Sequence, residues 1–332
     1  MPEPYKKPYL TYQQQLDRLK RRGLLIGDEA QAIWLLEALG YYRLSGYFYP
    51  FRRQSDPKDV DGKRVRQPRL DEFAAGASFE QVSLLYKFDQ SLRLLVMHAV
   101  EKLEVAMRAK LAYLLAAQDT CAHLKAELWN PKYCQVPSDD PGAPPRQSNY
   151  ETWLESHEKL VGRSKEDFIK HFREKYAPPI PLWISIEVWD FGLLSHFYAG
   201  LNESDRRALA DQFGITRAVL LASWLRSISH LRNICAHHSR LWNRTLTDNP
   251  KPPGQNEVPE LDHLRGDANM HSRLHVYGTL AVMQYLLKKA GFDSSWSQKL
   301  KGLIGDFPSA APIATLHTMG FPADWSELPL WN

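Results

Sequence analysis

Between Ser78 and Gln118 apolar residues recur three or four positions apart: Val82, Leu85, Phe88, Leu92, Leu95, Ala99, Leu103, Ala106 and Leu114. A pleated strand turns its side chains over every second residue, so this spacing belongs to a helix with one buried stripe. Ser78-x-x-Gln81 stands in front of it as a capping box. A helix of ~40 residues would extend ~60 Å, which leaves room for a kink or break. Such an element needs other helices to cover it, and the rest of the chain supplies them.

Helical segments are expected from Tyr9 to Gly23, with Lys20, Arg21 and Arg22 in the last turn, and from Asp28 to Gly40, with Ile33, Trp34, Leu36 and Leu39 as core. Further helices run from Glu151 to Leu160 and, capped by Ser164-x-x-Asp167, to Tyr176. After the break at Ala177 to Pro181, a strongly apolar helix follows from Leu182 to Leu201, interrupted at Gly192. Asn202 or Ser204 caps a helix ending at Gly214, and Thr216 caps the next. Ala268 to Ala290, Ser295 to Gly305 and Ser309 to Thr318 complete the set. Asp61-Gly62 between Val60 and Val65 gives the single hairpin signal. The expected fold class is all-α.

Three segments are expected: residues 1–77 as an N-terminal helical region with a basic loop or hairpin, 78–290 as a helical core, and 291–332 as a C-terminal helical extension. Asp119 to Asn149, with five prolines, looks like an insertion into the core. Thr245 to Pro259 reads as a surface loop, and the tail with Pro322, Pro329 and Trp331 as draped over the surface. Cys121, Cys134 and Cys235 have no short spacing, which favours a reducing compartment over disulfides or a cysteine zinc site. His123 and Cys134 lack companions at ligand spacing. No apolar run approaches ~20 residues, so a cytoplasmic protein with no membrane contact is expected. Net charge is only +4, so affinity for nucleic acid has to come from local clustering.

Chemistry is concentrated in Leu231 to Arg244, L-R-N-I-C-A-H-H-S-R-L-W-N-R. Leu221, Trp224, Ile228, Leu231, Cys235, His238 and Trp242 form an apolar column at helical steps, while Arg226, His230, Asn233, His237, Arg240 and Arg244 form a polar one. One helix carrying both is expected. Asn233 and His237 lie one turn apart, and Arg232 lies about 100° round from Asn233. Arg232 and His237 can still meet on one phosphate through the reach of the arginine, or through a second copy across a two-fold axis.

Arg232-Asn233-x-x-x-His237 fits the R-x(4-6)-H signature of the HEPN superfamily, and the full string resembles the hallmark of AbiD/AbiF-type abortive infection proteins within it. Four more segments resemble that family: Tyr41 to Tyr47, Leu85 to Arg93, Glu101 to Arg108, and Pro179 to Ser195. The first departs from it, with Gly40 where the family has asparagine. The resemblance implies a HEPN-like helical bundle and a homodimer. It also implies a metal-independent endoribonuclease in phage defence, or a toxin restrained by an RNA or protein antitoxin. It calls for no cofactor. Arg232, Asn233 and His237 would be catalytic. A histidine suits the proton transfers that let a 2′-hydroxyl attack the neighbouring phosphorus, and an arginine braces the phosphoryl oxygens.

Arg240, Arg244, Tyr42 and Arg43 are candidates for RNA contact. His238 joins them, although its place on the apolar column favours a packed histidine. Glu104 and Arg108, one turn apart, form either an ordinary ion pair or a support that orients an active-site Arg or His. The aromatic string Tyr41 to Phe51 is either a stacking platform for bases or core, and its bulk favours core. The basic stretch Arg52 to Arg69 is either a phosphate-tracking arm or a solvated loop. No H-E-x-x-H and no glycine-rich phosphate loop are present. The competing function is a non-catalytic helical module that binds RNA or protein and senses infection.

Overall fold

The computed structural model describes residue 4 and residues 7–55, 58–60, 63–65, 69–136, 147–292, 295–310 and 312–332. The fold is helical apart from two short antiparallel strand pairs among these residues. The chain gathers into two compact units, Met1–Leu92 with Gly302–Thr318, and Arg93–Lys301 with Met319–Asn332. This division differs from segments 1–77, 78–290 and 291–332: the first unit also takes the start of the long helix and a piece from near the C-terminus.

In the first unit, α1 (Tyr12–Arg21) opens on a reciprocal capping box between Thr11 and Gln14 and buries Leu16 and Leu19. The Asp28 carboxylate accepts the Gln31 N–H at 2.9 Å to start α2 (Glu29–Leu39). That helix buries Ala32, Leu35 and Leu36, whereas Trp34 is 61% exposed. Trp34 lies about 100° from Leu35 and about 200° from Leu36, so it cannot share their face. Helix α3 (Tyr41–Phe48) sorts the aromatic string by the same period. Leu44, Tyr47 and Phe48 turn inward, and Phe51 follows them. The Phe48 ring meets Phe73 and Phe79 at 6.1 and 5.6 Å, and the Tyr47 hydroxyl donates to the buried Asp89 carboxylate at 2.6 Å.

Strand β1 (Arg52–Gln54) pairs with β4 (Arg69–Phe73), and β2 (Lys58–Val60) with β3 (Lys63–Val65). The hairpin register sets Val60 opposite Lys63; Asp61 and Gly62 lie outside the described residues, as does Arg66 of the expected phosphate-tracking arm. Arg52 and Arg69 instead hold their own sheet. Both guanidinium groups lie over the Tyr49 ring, at 5.6 and 5.8 Å, and Arg69 also donates to the Arg52 carbonyl. The expected helix Ser309 to Thr318 is replaced by a backbone bridge between Ala310 and Ala314 and a single 3₁₀ turn, Leu316–Met319.

Helix α4 (Phe79–Ala116) runs unbroken for 38 residues, so the break its length allowed is absent. Beyond Leu92 its buried line is Val96, Ala99, Val100, Leu103, Met107, Leu111 and Leu115. Leu95, Ala106 and Leu114 are half-buried, because the 3.6-residue repeat has carried the stripe round past them.

In the second unit, part of Thr120 to Trp129 is core. Ala122, His123 and Trp129 are buried, and backbone bonds join Leu182 to Thr120 and Asn130 to Gly200, each at 2.8 Å. Helix α5 (Pro131–Cys134) follows, then α6 (Asn149–Arg163), opened by a capping box of Ser148 and Glu151. After α7 (Asp167–Lys175) and α8 (Leu182–Ser185), the break comes at Trp189 and Asp190 rather than at Gly192. The Asp190 carboxylate caps α9 (Phe191–Gly200) through the Leu193 N–H at 2.8 Å. Trp129, Trp153, Trp189 and Phe197 meet at ring distances of 4.8–5.3 Å. A Cβ at Gly200 would stand 2.3 Å from the Trp129 ring, so glycine is required there.

Asn202 caps α10 (Glu203–Asp211), and α11 (Ala218–Ala236) packs on α9 and on α13 (Val276–Lys289). The short α12 (Met270–Leu274) precedes α13, and α14 is Ser295–Gly305. The stretch Thr245 to Pro259 is only partly superficial, since Leu246 and Val258 are buried. The tail is core as well: Trp325, Leu330 and Trp331 are buried, and the Trp331 Nε1–H donates to the Tyr277 hydroxyl. Its prolines stop helices while its rings still leave water.

Candidate functional site

Helix α11 carries the chemistry-bearing stretch. Its first turn is not capped by Thr216. Thr216 and Arg217 both bind Glu257, the hydroxyl at 2.8 Å and the guanidinium at 2.6–3.0 Å, and the helix begins at Ala218. Those arginine hydrogen bonds first of all hold the Glu257 carboxyl down to about 2. The apolar column predicted for this helix is buried from Leu221 through Trp224, Ile228 and Leu231 to Cys235. Trp224 Nε1–H donates to the Lys251 carbonyl at 2.9 Å, tying the following loop back onto the helix.

The helix stops at Ala236, eight residues short of Arg244. His238 has a φ of 54°, in the left-handed region. The His238 N–H reaches the Cys235 carbonyl and the Ser239 N–H reaches the Ile234 carbonyl, both at 3.0 Å. These are the two crossed bonds of a Schellman turn, which satisfies the last carbonyls of a helix. Arg93, buried on α4, donates from Nη1 to the Ser239 carbonyl at 3.4 Å, just beyond the turn.

The two columns therefore end with the helix. Arg226, His230 and Asn233 keep a common face and His237 still closes the last turn on Asn233, but Arg240 and Arg244 lie beyond the left-handed residue and follow no helical step. His237 is the C-cap, and its side chain is exposed. His238 is exposed rather than packed on the apolar stripe, because the left-handed residue swings the chain off the helix axis. Trp242 is buried from the loop, Arg240 is half-buried, and Arg244 is exposed.

Of Arg232, Asn233 and His237, the first two meet through their side chains, and the backbone N–H of His237 closes the last ordinary turn of the helix on Asn233. Arg232 Nη1 donates to Asn233 Oδ1 at 3.2 Å, and the Asn233 carbonyl accepts the His237 N–H at 3.0 Å. Glu104 stands in the field of Arg232. Burial pushes the Glu104 carboxyl up, Arg108 and then Arg232 pull it down, and Asp190 pushes it up. Arg108 bonds Glu104 and the Trp189 carbonyl, and its Nη1 lies 3.8 Å from the Glu187 carboxylate. The pair is thus more than an intrahelical bridge: it anchors the bend from which Asp190 starts α9.

On the same side, the side chains of Arg226 and His230 lie 3.8 and 3.7 Å from the Asp248 carboxylate, and His230 Nε2 is 3.3 Å from the Thr247 hydroxyl. Tyr42 and Arg43 belong to the first unit, where both are exposed on α3 and Tyr42 is 92% so. Arg93 and Asp190 were not singled out from the sequence as site residues. Arg93 carried a signal, an arginine on the buried side of an otherwise apolar helix, and Asp190 stood as a capping residue before an apolar run.

Among the described residues, no three side chains of metal-ligating type come together, and no helix is long and apolar enough to cross a membrane. A family model described as "Abi-like protein" matches residues 34–243, more than half of the chain. No curated protein and no solved structure matches it.

Proposed function

We propose that this chain, which belongs to the Abi-like protein family, is a metal-independent endoribonuclease of the HEPN type. Family membership supports a role in phage defence by abortive infection. One observation supports the nuclease reading: Arg232 hydrogen-bonds the Asn233 side chain one turn before an exposed histidine, at the end of a helix whose other face is core. His237 exchanges protons with the 2′-hydroxyl or the leaving 5′-oxygen, and Arg232 stabilises charge on the phosphoryl oxygens. The 2′-oxygen displaces the 5′-oxygen at phosphorus, leaving a 2′,3′-cyclic phosphate and a 5′-hydroxyl. DNA lacks the nucleophile and is not cut. Glu104 positions Arg232 from the neighbouring helix. The active species is a homodimer whose two copies of Arg232 and His237 share a site, restrained in the cell by an RNA or protein antitoxin.

The test is cleavage of RNA by the purified chain in the presence of a chelator, with the product ends identified. Cleavage to cyclic phosphates that disappears in His237→Ala and Arg232→Ala supports the proposal. Toxicity that persists in His237→Ala, with no cleavage of RNA from any source, identifies a binding module instead. Mixing the two single variants should restore part of the activity if the site is shared, and full activity from a strict monomer would sink the shared site.

A further inference from the structure

Two depressions in the second unit adjoin. The larger, about 390 Å³, lies between α6 and α9 and is lined on one side by Lys159 and Arg163 and on the other by Asp190 and His196. The smaller, about 150 Å³, runs on to α11, where Arg226 and Ser229 line it together with Lys251 of the following loop. Tyr133 and His196 form a wall common to both. Lys159 and Arg163 sit one turn apart on α6, and their side chains are exposed, as are those of Arg226 and Lys251. Among the described residues, four cations from three segments thus line one groove, against the carboxylate of Asp190.

We propose that this groove carries single-stranded RNA toward His237, with phosphates held by Lys159 and Arg163 at one end and by Arg226 and Lys251 at the other. The inference rests on the nuclease reading of the adjoining site. Three features favour a strand over a single small ligand. The larger depression alone has the volume of a small-molecule pocket and accommodates one nucleotide. A second depression with its own cation pair then continues past a shared wall. The groove also leads to the site: Arg226, Ser229 and Asn233 follow one another at helical steps along α11, and His237 caps that helix. Asp190, which lines the larger depression, acts with Arg232 on Glu104, so the groove and the candidate site share an electrostatic neighbourhood.

Within the groove, Tyr133 is half-buried with its ring on the common wall, where a base can stack. Asp190 repels phosphate but accepts hydrogen bonds from a base amine or a 2′-hydroxyl, which suits recognition beside the backbone. The Arg226 to Asp248 contact is long and exposed, and a phosphate can replace it at little cost.

The test is fluorescence anisotropy with a labelled single-stranded RNA of about ten nucleotides, long enough to span both depressions. The full chain carries His237→Ala so that binding is read without cleavage, and salt is titrated. Adding Lys159→Ala with Arg163→Ala is expected to weaken binding at least tenfold near 0.1 M salt and to flatten the log–log salt slope by about 1.4, two phosphate contacts of a single strand. Arg226→Ala with Lys251→Ala should do the same, and Tyr133→Ala should lose roughly tenfold with the slope unchanged. Unchanged thermal melting of each variant excludes unfolding as the cause.

Binding and slope that are indifferent to both double variants overturn the groove, as does a chain that binds no single-stranded RNA. Displacement of the strand by free UMP or AMP at equal concentration overturns the strand in favour of a mononucleotide pocket. Cleavage by the parent chain is scored separately. A parent that cuts RNA while the groove variants bind normally sinks the groove alone. Binding that depends on the groove in a parent that never cuts leaves the groove standing and sinks the nuclease.

Discussion

Two pairs of histidines in the second unit face opposite conditions. His123 and His157 are sealed beside the tryptophan cluster, with rings 5.0 Å apart; His157 Nδ1 accepts the Trp189 Nε1–H at 3.0 Å, and His123 Nε2 lies 3.3 Å from the Ser185 hydroxyl. His237 and His238 stand exposed on a helix end. Burial drives His123 down to about 3 and His157 to about 4, so both are neutral acceptors or donors fixed in place. Histidine is therefore used here once as an uncharged core residue and once at a solvent-facing turn. Only the second setting gives a substrate access to the imidazole.

The sharpest division between the pairs is His237→Ala. It is expected to lower RNA cleavage by roughly 10² to 10⁴-fold, the usual range for a lost acid–base group, with the melting temperature unchanged. A matched substitution at His157 should do the reverse, lowering stability with little direct effect on the chemistry per folded molecule. Kinetics and thermal melting on both variants would break the comparison if the two effects were exchanged.

Acid gives the next effect. A histidine whose folded value lies below its unfolded value near 6.5 adds stability above pH 6.5, and that stability is lost as pH falls toward the folded value. For His123 and His157 the window runs from about 6.5 down to about 3 and about 4, respectively. Between pH 7 and pH 5 the two together should remove on the order of 4 kcal/mol of unfolding free energy. Urea unfolding across that range measures it. His157→Gln keeps an acceptor for Trp189 and should flatten the dependence; an equal slope in the variant would remove His157 from the account.

His157→Ala is expected to cost on the order of 3 kcal/mol. It leaves the buried Trp189 N–H without an acceptor, worth roughly 1–3 kcal/mol, and opens a gap beside the Trp153 ring that stacks on it. Denaturant unfolding at pH 7.5 reads this free of the titration, and a loss under ~1 kcal/mol would mean that the cluster collapses onto the gap.

The exposed pair was legible in the sequence up to the residue where local geometry took over. Periodicity sorted Leu221 to Cys235 into a buried column and set Asn233 on the polar face, and the structure agrees. It then extrapolated a helix through Arg244, because nothing in H-H-S-R announces a stop. Helix ends of this kind are normally marked by glycine, and here His238 takes that conformation while Arg93, 146 positions away, holds the carbonyl beyond it. A contact at that sequence distance is invisible to a periodic pattern. The buried pair was hidden for a different reason. His123 lies in a stretch whose later prolines mark it by composition as peripheral, and only tertiary packing against His157, Ser185 and Trp189 makes it core.

The turn itself supplies the smallest effect. At most positions a change from alanine to glycine loses stability, since glycine gains the most freedom on unfolding. At position 238, with its φ of 54°, the order should invert. A Cβ in the left-handed region costs roughly 1–2 kcal/mol, so His238→Ala is expected to be about 1 kcal/mol less stable than His238→Gly. Both substitutions remove the same side chain, so whatever the imidazole contributes cancels between them. A melting temperature for the glycine variant at or below that of the alanine variant would mean that the helix continues past Ala236. Arg240 and Arg244 would then return to the polar column with His237, and the exposed pair would no longer sit on a turn.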